Sequence, residues 1–180
     1  MVSSIIPIMV TVSQTLSSST ADMGQSLLAW LLPAIMGALL LSAGVEDARV
    51  REIANWKNAA IALLAPVWWC IIGLSPWPEM ALQLGVALVV FALFIGAFAI
   101  GQMGGGDVKL IGALSLWLPP MRLLDTLLVM SVLGGVLTLV FVIERRWKPS
   151  ETAVEVPYGV AIAVAGLISL TEPLLNQFRP

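Results

Sequence analysis

Long apolar runs separated by short charged segments dominate this chain, and they limit its fold more than any other feature. Six runs are delimited at about 27–44, 58–74, 80–101, 107–118, 121–143 and 157–170. A helix needs about 20 residues to cross the hydrocarbon core of a membrane, and the first, second, third and fifth runs approach that length. The sixth run approaches it if residues 171–174 join it. The fourth run is the weakest candidate, because it contains Lys109 and ends at Pro119 and Pro120.

The balance of polar and apolar residues supports a membrane protein. Charged residues make up 11% of the chain and hydrophobic residues 59%, whereas an ordinary soluble domain has about 25% charged residues. Too few polar groups are present to cover a soluble globule, which excludes a cytosolic enzyme and a disordered chain. The net charge of -2 provides no field for nucleic acid. The sequence therefore predicts an all-α, polytopic membrane protein.

Missing residue types restrict the chemistry. The chain has no His and a single Cys, Cys70, which excludes His-based triads, His metal sites, haem ligation and an intrachain disulfide. Because Cys70 lies within an apolar run, we expect it to be a buried structural thiol. Acid–base chemistry would depend on Asp, Glu, Lys or Tyr, and no cofactor or metal is expected.

The distribution of basic residues predicts the topology. They cluster in the segments after the first run and before the sixth, at Arg49, Arg51, Lys57, Arg145, Arg146 and Lys148. The positive-inside rule places both segments in the cytosol, and they share a side only if the fourth run crosses. The prediction is a bundle of six transmembrane helices with both termini outside. Lys109 then snorkels at the cytosolic end of its helix, and five tryptophans form an aromatic belt near the outer face, namely Trp30, Trp68, Trp69, Trp77 and Trp117.

The rest of the chain adds little organisation. We expect residues 1–25, which are Ser/Thr-rich and lack Lys and Arg, to form an extracytoplasmic tail or an interfacial segment. The absence of a basic n-region disfavours a signal peptide. Residues 26–174 are predicted to form one six-helix membrane domain and residues 175–180 a C-terminal tail. With no soluble second domain, the chemistry is expected in or beside the membrane.

Two aspartates lie at ends of apolar runs, where ionisable groups are costly and therefore suggest function. Asp47 follows the first run, and Asp107 opens the fourth, directly after Gly104, Gly105 and Gly106. Two crossings separate the aspartates, so both would face the cytosol. Two carboxyl groups that reach one water share a proton, so that the ionised one activates the water and the protonated one polarises a carbonyl. Glycines before Asp107 would let a substrate backbone approach closely.

Other interpretations remain open. In a purely structural one, Asp47 is a solvated carboxylate paired with Arg51, Asp107 is a helix N-cap and the glycines form a flexible turn. A second function class is a small transporter or ion pathway that uses the same aspartates, which predicts inverted repeats and broken helices at mid-membrane. A catalytically silent scaffold predicts that both aspartates are replaceable. Both aspartates lie at one face and no repeat is visible, which disfavours the transporter.

Three motifs carry a family resemblance. GGGDVKL at 104–110 matches the GxGD signature of membrane aspartic proteases. DARVREIANW at 47–56 resembles the loop after the first helix in type IV prepilin peptidases, with Ala54 where Pro is usual, and VPYGVAI at 156–162 resembles their last helix. The likeness covers about residues 27–170. The chain thus resembles the type IV prepilin peptidase family, and its compact size is most similar to the small Flp/Tad-type subgroup.

The resemblance implies a specific activity. It implies an inner-membrane aspartic endopeptidase that removes the basic leader of prepilins by cutting after a Gly at the cytosolic boundary, with Asp47 and Asp107 as the catalytic pair. Prepilins and the bilayer would be its partners, for pilus biogenesis or protein secretion. We expect the bulk of the extra N-terminal and cytosolic segment of the larger bifunctional enzymes, with its four-Cys zinc site, to be missing, which puts N-methylation of the new pilin terminus in doubt.

The resemblance also suggests residues that contact the substrate. They are Gly104, Gly105, Gly106, Glu46, Glu52, Lys109 and Tyr158. The acidic pair Glu46 and Glu52 would attract a basic leader, although a solvated loop is the alternative for each. Tyr158 would cap the site or anchor the interface, and Lys109 would contact substrate or simply snorkel.

Overall fold

The computed structural model describes residues 5–147 and 156–176. Lys148, position 150 and residues 177–180 of the predicted C-terminal tail lie outside the described residues, as do residues 1–4 of the predicted N-terminal tail. The surroundings of the side chains are described from Met23 onward, except for Arg145 and the end of the last helix.

The described chain forms a bundle of helices without a β-strand in those ranges. Its α-helices are α1 (Ile5–Val50), α2 (Asn55–Ile71), α3 (Ala81–Ala99), α4 (Gly105–Ser115), α5 (Pro120–Trp147) and α6 (Tyr158–Asn176), and a kinked turn at Pro76–Met80 precedes α3. Within the described ranges, three stretches are long and apolar enough to cross a membrane, namely Met23–Val50, Pro76–Ala99 and Pro120–Glu144. These stretches confirm the all-α, multi-pass prediction. The six crossings and the orientation of the termini stay predictions.

Helix α1 is longer than the apolar run that predicted it. It extends over 46 residues and includes the Ser/Thr-rich stretch, which has no Pro or Gly between Pro7 and Gly24. It ends where Arg51 adopts a left-handed φ of 58° and donates its backbone N–H to the carbonyl of Asp47 at 3.0 Å, a common way to close a helix. Asp47 therefore lies in the last turn of α1 and not in a loop.

Helix α4 is short but central. It has 11 residues and packs against α2, α3 and α6. Its carbonyl end is held by buried side chains, because Trp69 Nε1 donates to the Leu116 carbonyl at 2.8 Å and Gln83 Nε2 donates to the Ser115 carbonyl at 2.9 Å. Such bonds satisfy carbonyl groups that no longer have a partner within the helix. They fix α4 in the bundle despite its length.

Two sequence predictions about this region are wrong. Trp69 and Trp117 are 7% and 5% exposed, and Trp117 Nε1 donates to the Ile61 carbonyl at 2.8 Å, so both belong to the core and not to an aromatic belt. Their indole N–H groups can be buried because each finds a backbone carbonyl. Cys70, by contrast, is exposed beside the buried Trp69, since α2 turns a different face outward at each successive residue.

Candidate active site

Helix α1 packs along α6, so that the end of α1 lies beside the beginning of α6. Asp47 is 4% exposed, and its Oδ2 accepts a hydrogen bond from the backbone N–H of Val160 at 3.2 Å. The first N–H groups of a helix have no partner within that helix. Asp47 therefore holds the first turn of α6, and the solvated-loop interpretation of this residue is wrong.

Asp107 is buried in the first turn of α4. It is 6% exposed, and its Oδ1 is buried without a hydrogen-bond partner in the described part of the chain. Gly104 is the N-cap residue, and no side chain among the described residues caps this end of α4, so the N-cap interpretation of Asp107 is not supported. A buried polar atom without a partner is costly and is uncommon away from functional sites.

Two polar cavities bring the aspartates together. One, of about 400 Å³, is lined by Asp47, Asp107, Arg51, Met103 and Tyr158, among others. The other, of about 300 Å³, is lined by both aspartates together with the neighbouring residues Arg51, Glu52, Ile53, Asn55, Gly104, Gly105 and Gly106. The backbone amide of Gly159 interacts with both carboxyl groups. Residues that are two helices apart in sequence thus face a common space.

Gly159 allows α6 to pack closely against the side chains of Asp47 and Ile53. A Cβ at this position would lie 2.8 Å from Cγ and Oδ2 of Asp47 and 2.8 Å from Cδ1 of Ile53. Such distances are far inside van der Waals contact, so a side chain here would displace the carboxylate. The sequence indicated the Pro-Tyr-Gly motif of α6 but not the role of this glycine, which only the packing of α1 reveals.

The three glycines before Asp107 are packing sites as well as cavity walls. A Cβ at Gly106 would lie 3.3 Å from Cβ of Ile53, and a Cβ at Gly105 would lie 3.4 Å from Cε2 of Phe98. The left-handed backbone conformation of this loop is at Gly101, with φ of 72°, and not at Gly106. The glycines therefore let the α1–α2 connection pack closely on α4.

The other predicted substrate contacts divide into two groups. Glu52 and Tyr158 each line one of the polar cavities, and the Tyr158 hydroxyl lies 3.3 Å from Thr138 Oγ1. Lys109 is exposed and lines neither polar cavity, and its Nζ donates to Asn55 Oδ1 at 2.8 Å. Glu46 also lies outside both cavities.

Glu46 forms an ion pair that the sequence did not predict. Lys57 Nζ lies 2.8 Å from Glu46 Oε2 and donates to Ser42 Oγ at 2.7 Å, while the backbone N–H of Ala54 donates to the same carboxylate at 3.1 Å. Lys57 is 7% exposed, so it is a buried cation and not an interfacial anchor. The ion pair of Lys57 and Glu46 connects the start of α2 to the last turns of α1, next to Asp47.

Arg51 is a site residue whose role the sequence left unclear. It lines both polar cavities with Asp47 and Asp107, and its guanidinium carbon lies 5.1 Å from the centre of the Phe141 ring. Its left-handed backbone at the end of α1 aims the side chain toward α5. The Asp-to-Arg spacing was visible in the sequence, but the cavity was not.

Comparison with known proteins assigns the chain to a family. A sequence profile described as the type IV leader peptidase family matches residues 34–139, more than half of the chain. The chain belongs to this family. A prepilin leader peptidase/N-methyltransferase of Legionella pneumophila is 30% identical over 122 residues, which are 66% of this chain and 37% of that protein. The match thus spans well under two thirds of that relative, and no solved structure gives a significant match.

Membership of the leader peptidase family confirms the resemblance found in the motifs. The matched range includes Asp47, Asp107 and the three glycines, but it ends before α6. The contribution of Gly159 and Val160 to the candidate site is therefore seen in the packing alone. Among the described residues, no group of three or more His, Cys, Asp or Glu could hold a metal ion.

Proposed function

We propose that this chain is an aspartic endopeptidase that removes the basic leader from prepilins at the cytosolic face of the inner membrane. One observation carries the proposal: Asp47 and Asp107, contributed by α1 and α4, are both buried and line the same two cavities. A pair of carboxyl groups around one water is sufficient for amide hydrolysis without a metal.

The surroundings of the two carboxyl groups suggest different roles. Asp47 accepts the Val160 N–H at the positive end of the α6 dipole and shares its cavities with Arg51, and each of these features favours a carboxylate. Asp107 is buried, has an Oδ1 without a partner among the described residues and lies near Asp47, and these features favour the protonated acid. We assign Asp47 as the general base and Asp107 as the general acid.

The reaction follows from these assignments. Asp47 takes a proton from water as the water oxygen bonds to the scissile carbonyl carbon, and Asp107 gives its proton to the carbonyl oxygen. The resulting gem-diol collapses when the C–N bond breaks: the proton on Asp47 passes to the leaving nitrogen, and one hydroxyl returns a proton to Asp107. One water is consumed, and the pair regains its starting protonation.

The substrate class fits the position and charge of the site. The site lies where α1 ends and where α4 and α6 begin, so a bond just before an apolar helix would reach it at the membrane boundary. Exposed Glu52 at the second cavity would attract a basic leader. The likeness in size to the small Flp/Tad-type subgroup extends the proposal to Flp-type prepilins. A transporter predicts broken helices and binding sites at mid-membrane, whereas both aspartates lie at one end of the bundle. The transporter alternative is therefore not favoured.

Co-expression with a prepilin tests the proposal. The substrate carries a basic leader, a Gly at the cut and an apolar segment, and leader removal is read from the mass shift and the new N-terminus. We expect cleavage after the Gly only when this chain is present. An intact leader at matched membrane levels, on a substrate that an established prepilin peptidase cleaves, would overturn the proposal.

A further inference from the structure

An apolar groove opens between α2, α3 and α4, beside the polar cavities. It has a volume of about 480 Å³, and the residues that matter here are Asn55, Asn58, Ala59, Leu88, Phe91 and Gly112. Each helix contributes a stretch of eight residues, 55–62, 84–91 and 109–116. At 1.5 Å per residue each stretch is about 10 Å long, which is about two turns of helix.

Asn58 marks the end of the groove that lies next to the candidate active site. It is 5% exposed and lines the groove, and its Nδ2 donates to the Gly106 carbonyl at 3.3 Å. Its Oδ1 is buried without a hydrogen-bond partner among the described residues. Asn58 therefore ties α2 to the first turn of α4 at this end of the groove.

The groove is continuous with the catalytic cavity. Asn55 lines both the groove and the cavity that holds Asp47 and Asp107. Asn58 bonds the carbonyl of Gly106, the residue directly before Asp107. A chain that lies in the groove would therefore pass directly to the two carboxyl groups.

Small residues line much of the groove. Gly112 lies under the ring of Phe91, where an added Cβ would be 2.6 Å from Phe91 Cδ2, so the ring packs down instead of filling the groove. Alanines at 59, 62, 87 and 113 line much of the remaining surface. Small side chains of this kind allow close approach between helices in membranes.

We propose that this groove binds the apolar segment that follows the scissile bond in the substrate, with the start of that segment beside Asn55. The inference rests on the proposed function. Asn55 lines both the groove and the cavity of the two aspartates, so a substrate helix that begins next to the dyad would enter the groove there. This continuity with the catalytic cavity favours the substrate over a lipid acyl chain as the occupant.

A matched pair of alanine substitutions tests the groove. Ala59 lines it and Ala92 does not, and both are exposed, so Ala59→Phe fills the groove while Ala92→Phe adds the same bulk elsewhere. With a reporter of basic leader, Gly and apolar segment, we expect Ala59→Phe to lower kcat/KM by about tenfold or more, because the scissile bond is misplaced. Wild-type cleavage of this reporter by Ala59→Phe would overturn the inference.

A photocrosslink identifies the occupant. A benzophenone amino acid is placed at Leu88, which lines the groove, or at Leu93, which does not, and these residues are 58% and 66% exposed. In the Asp107→Asn background we expect the reporter's apolar segment to be crosslinked from position 88 and not from 93. Only lipid adducts at 88 would overturn the groove assignment while leaving the peptidase proposal intact. No reporter cleavage by the wild type would instead overturn the peptidase proposal.

Discussion

The Asp47 carboxylate accepts a hydrogen bond from the backbone N–H of Val160, which lies 113 residues further along the chain, at a distance of 3.2 Å. The bond joins the last turn of α1 to the first turn of α6. It makes α6 a part of the candidate site, although the family profile matches only residues 34–139. Helix α6 thus positions the carboxyl group of Asp47.

Gly159→Ala should disrupt this arrangement. The added methyl would lie 2.8 Å from both Cγ and Oδ2 of Asp47, so either the carboxylate or α6 must move. Misplacement of a catalytic group lowers the rate by about tenfold to a hundredfold. The measurement is leader cleavage per amount of folded protein in the membrane.

Gly135→Ala is the control for this change. Gly135 lies inside α5 and an added Cβ meets nothing within 4 Å, so alanine should keep activity and raise the free energy of unfolding by up to about 1 kcal/mol. Equal activities of the Gly159→Ala and Gly135→Ala variants would show that close approach at Gly159 is not required.

The glycines before Asp107 should differ from one another. Gly106→Ala places a methyl 3.3 Å from Cβ of Ile53, which is 7% exposed and has little room to move. Gly105→Ala meets the ring of Phe98, which is 52% exposed and can shift. We expect Gly106→Ala to lower the cleavage rate by about tenfold and Gly105→Ala by less than about twofold. Similar, near-wild-type rates for both would support a merely flexible loop.

The ion pair of Lys57 and Glu46 should contribute to stability. Glu46→Gln leaves the buried Lys57 ammonium without its carboxylate, and Lys57→Met leaves the partly exposed Glu46 without its cation, so each change should lower the midpoint of thermal unfolding, Glu46→Gln by more. Because the residues interact directly at 2.8 Å, the double variant should lose less than the sum. Thermal unfolding in detergent measures this, and strictly additive losses would contradict the role of the pair.

The sequence predicted helices better than it predicted their ends. Apolar runs located α3 and α5 closely, because segments that cross a membrane must be long and hydrophobic. The start of α1 was misjudged, since a Ser/Thr-rich stretch without helix breakers can continue a helix that hydropathy alone does not detect. The short α4 is stabilised by Trp69 and Gln83 from other helices, and no local pattern specifies such contacts.

The candidate site, like the helices, was predicted only in part. Asp47 and Asp107 were predicted because ionisable groups at helix ends in an apolar chain stand out. The roles of Gly159, Arg51 and Lys57 were not predicted, because each depends on a contact between helices distant in sequence. Periodicity indicates which face of a helix is buried, but it does not indicate which helix covers that face.

Cysteine labelling tests the predicted topology. Cys70 is exposed and is first replaced by Ser, and single cysteines are then introduced at Val50, position 150 and Trp77. The clusters of basic residues predict that positions 50 and 150 react only from the cytosol and position 77 only from outside. Labels at 50 and 150 on opposite sides would show that α4 does not complete a crossing.

The most direct test of the catalytic pair is leader cleavage by Asp47→Asn, Asp107→Asn and the double variant. If the two carboxyl groups act as one unit, each single change should lower the rate by about a thousandfold or more, and the double change should add little. Since Asn has nearly the same shape as Asp, the amount of folded protein in the membrane should be unchanged. Substantial cleavage by either single variant at a matched membrane level would contradict the assignment of Asp47 and Asp107 as the catalytic dyad.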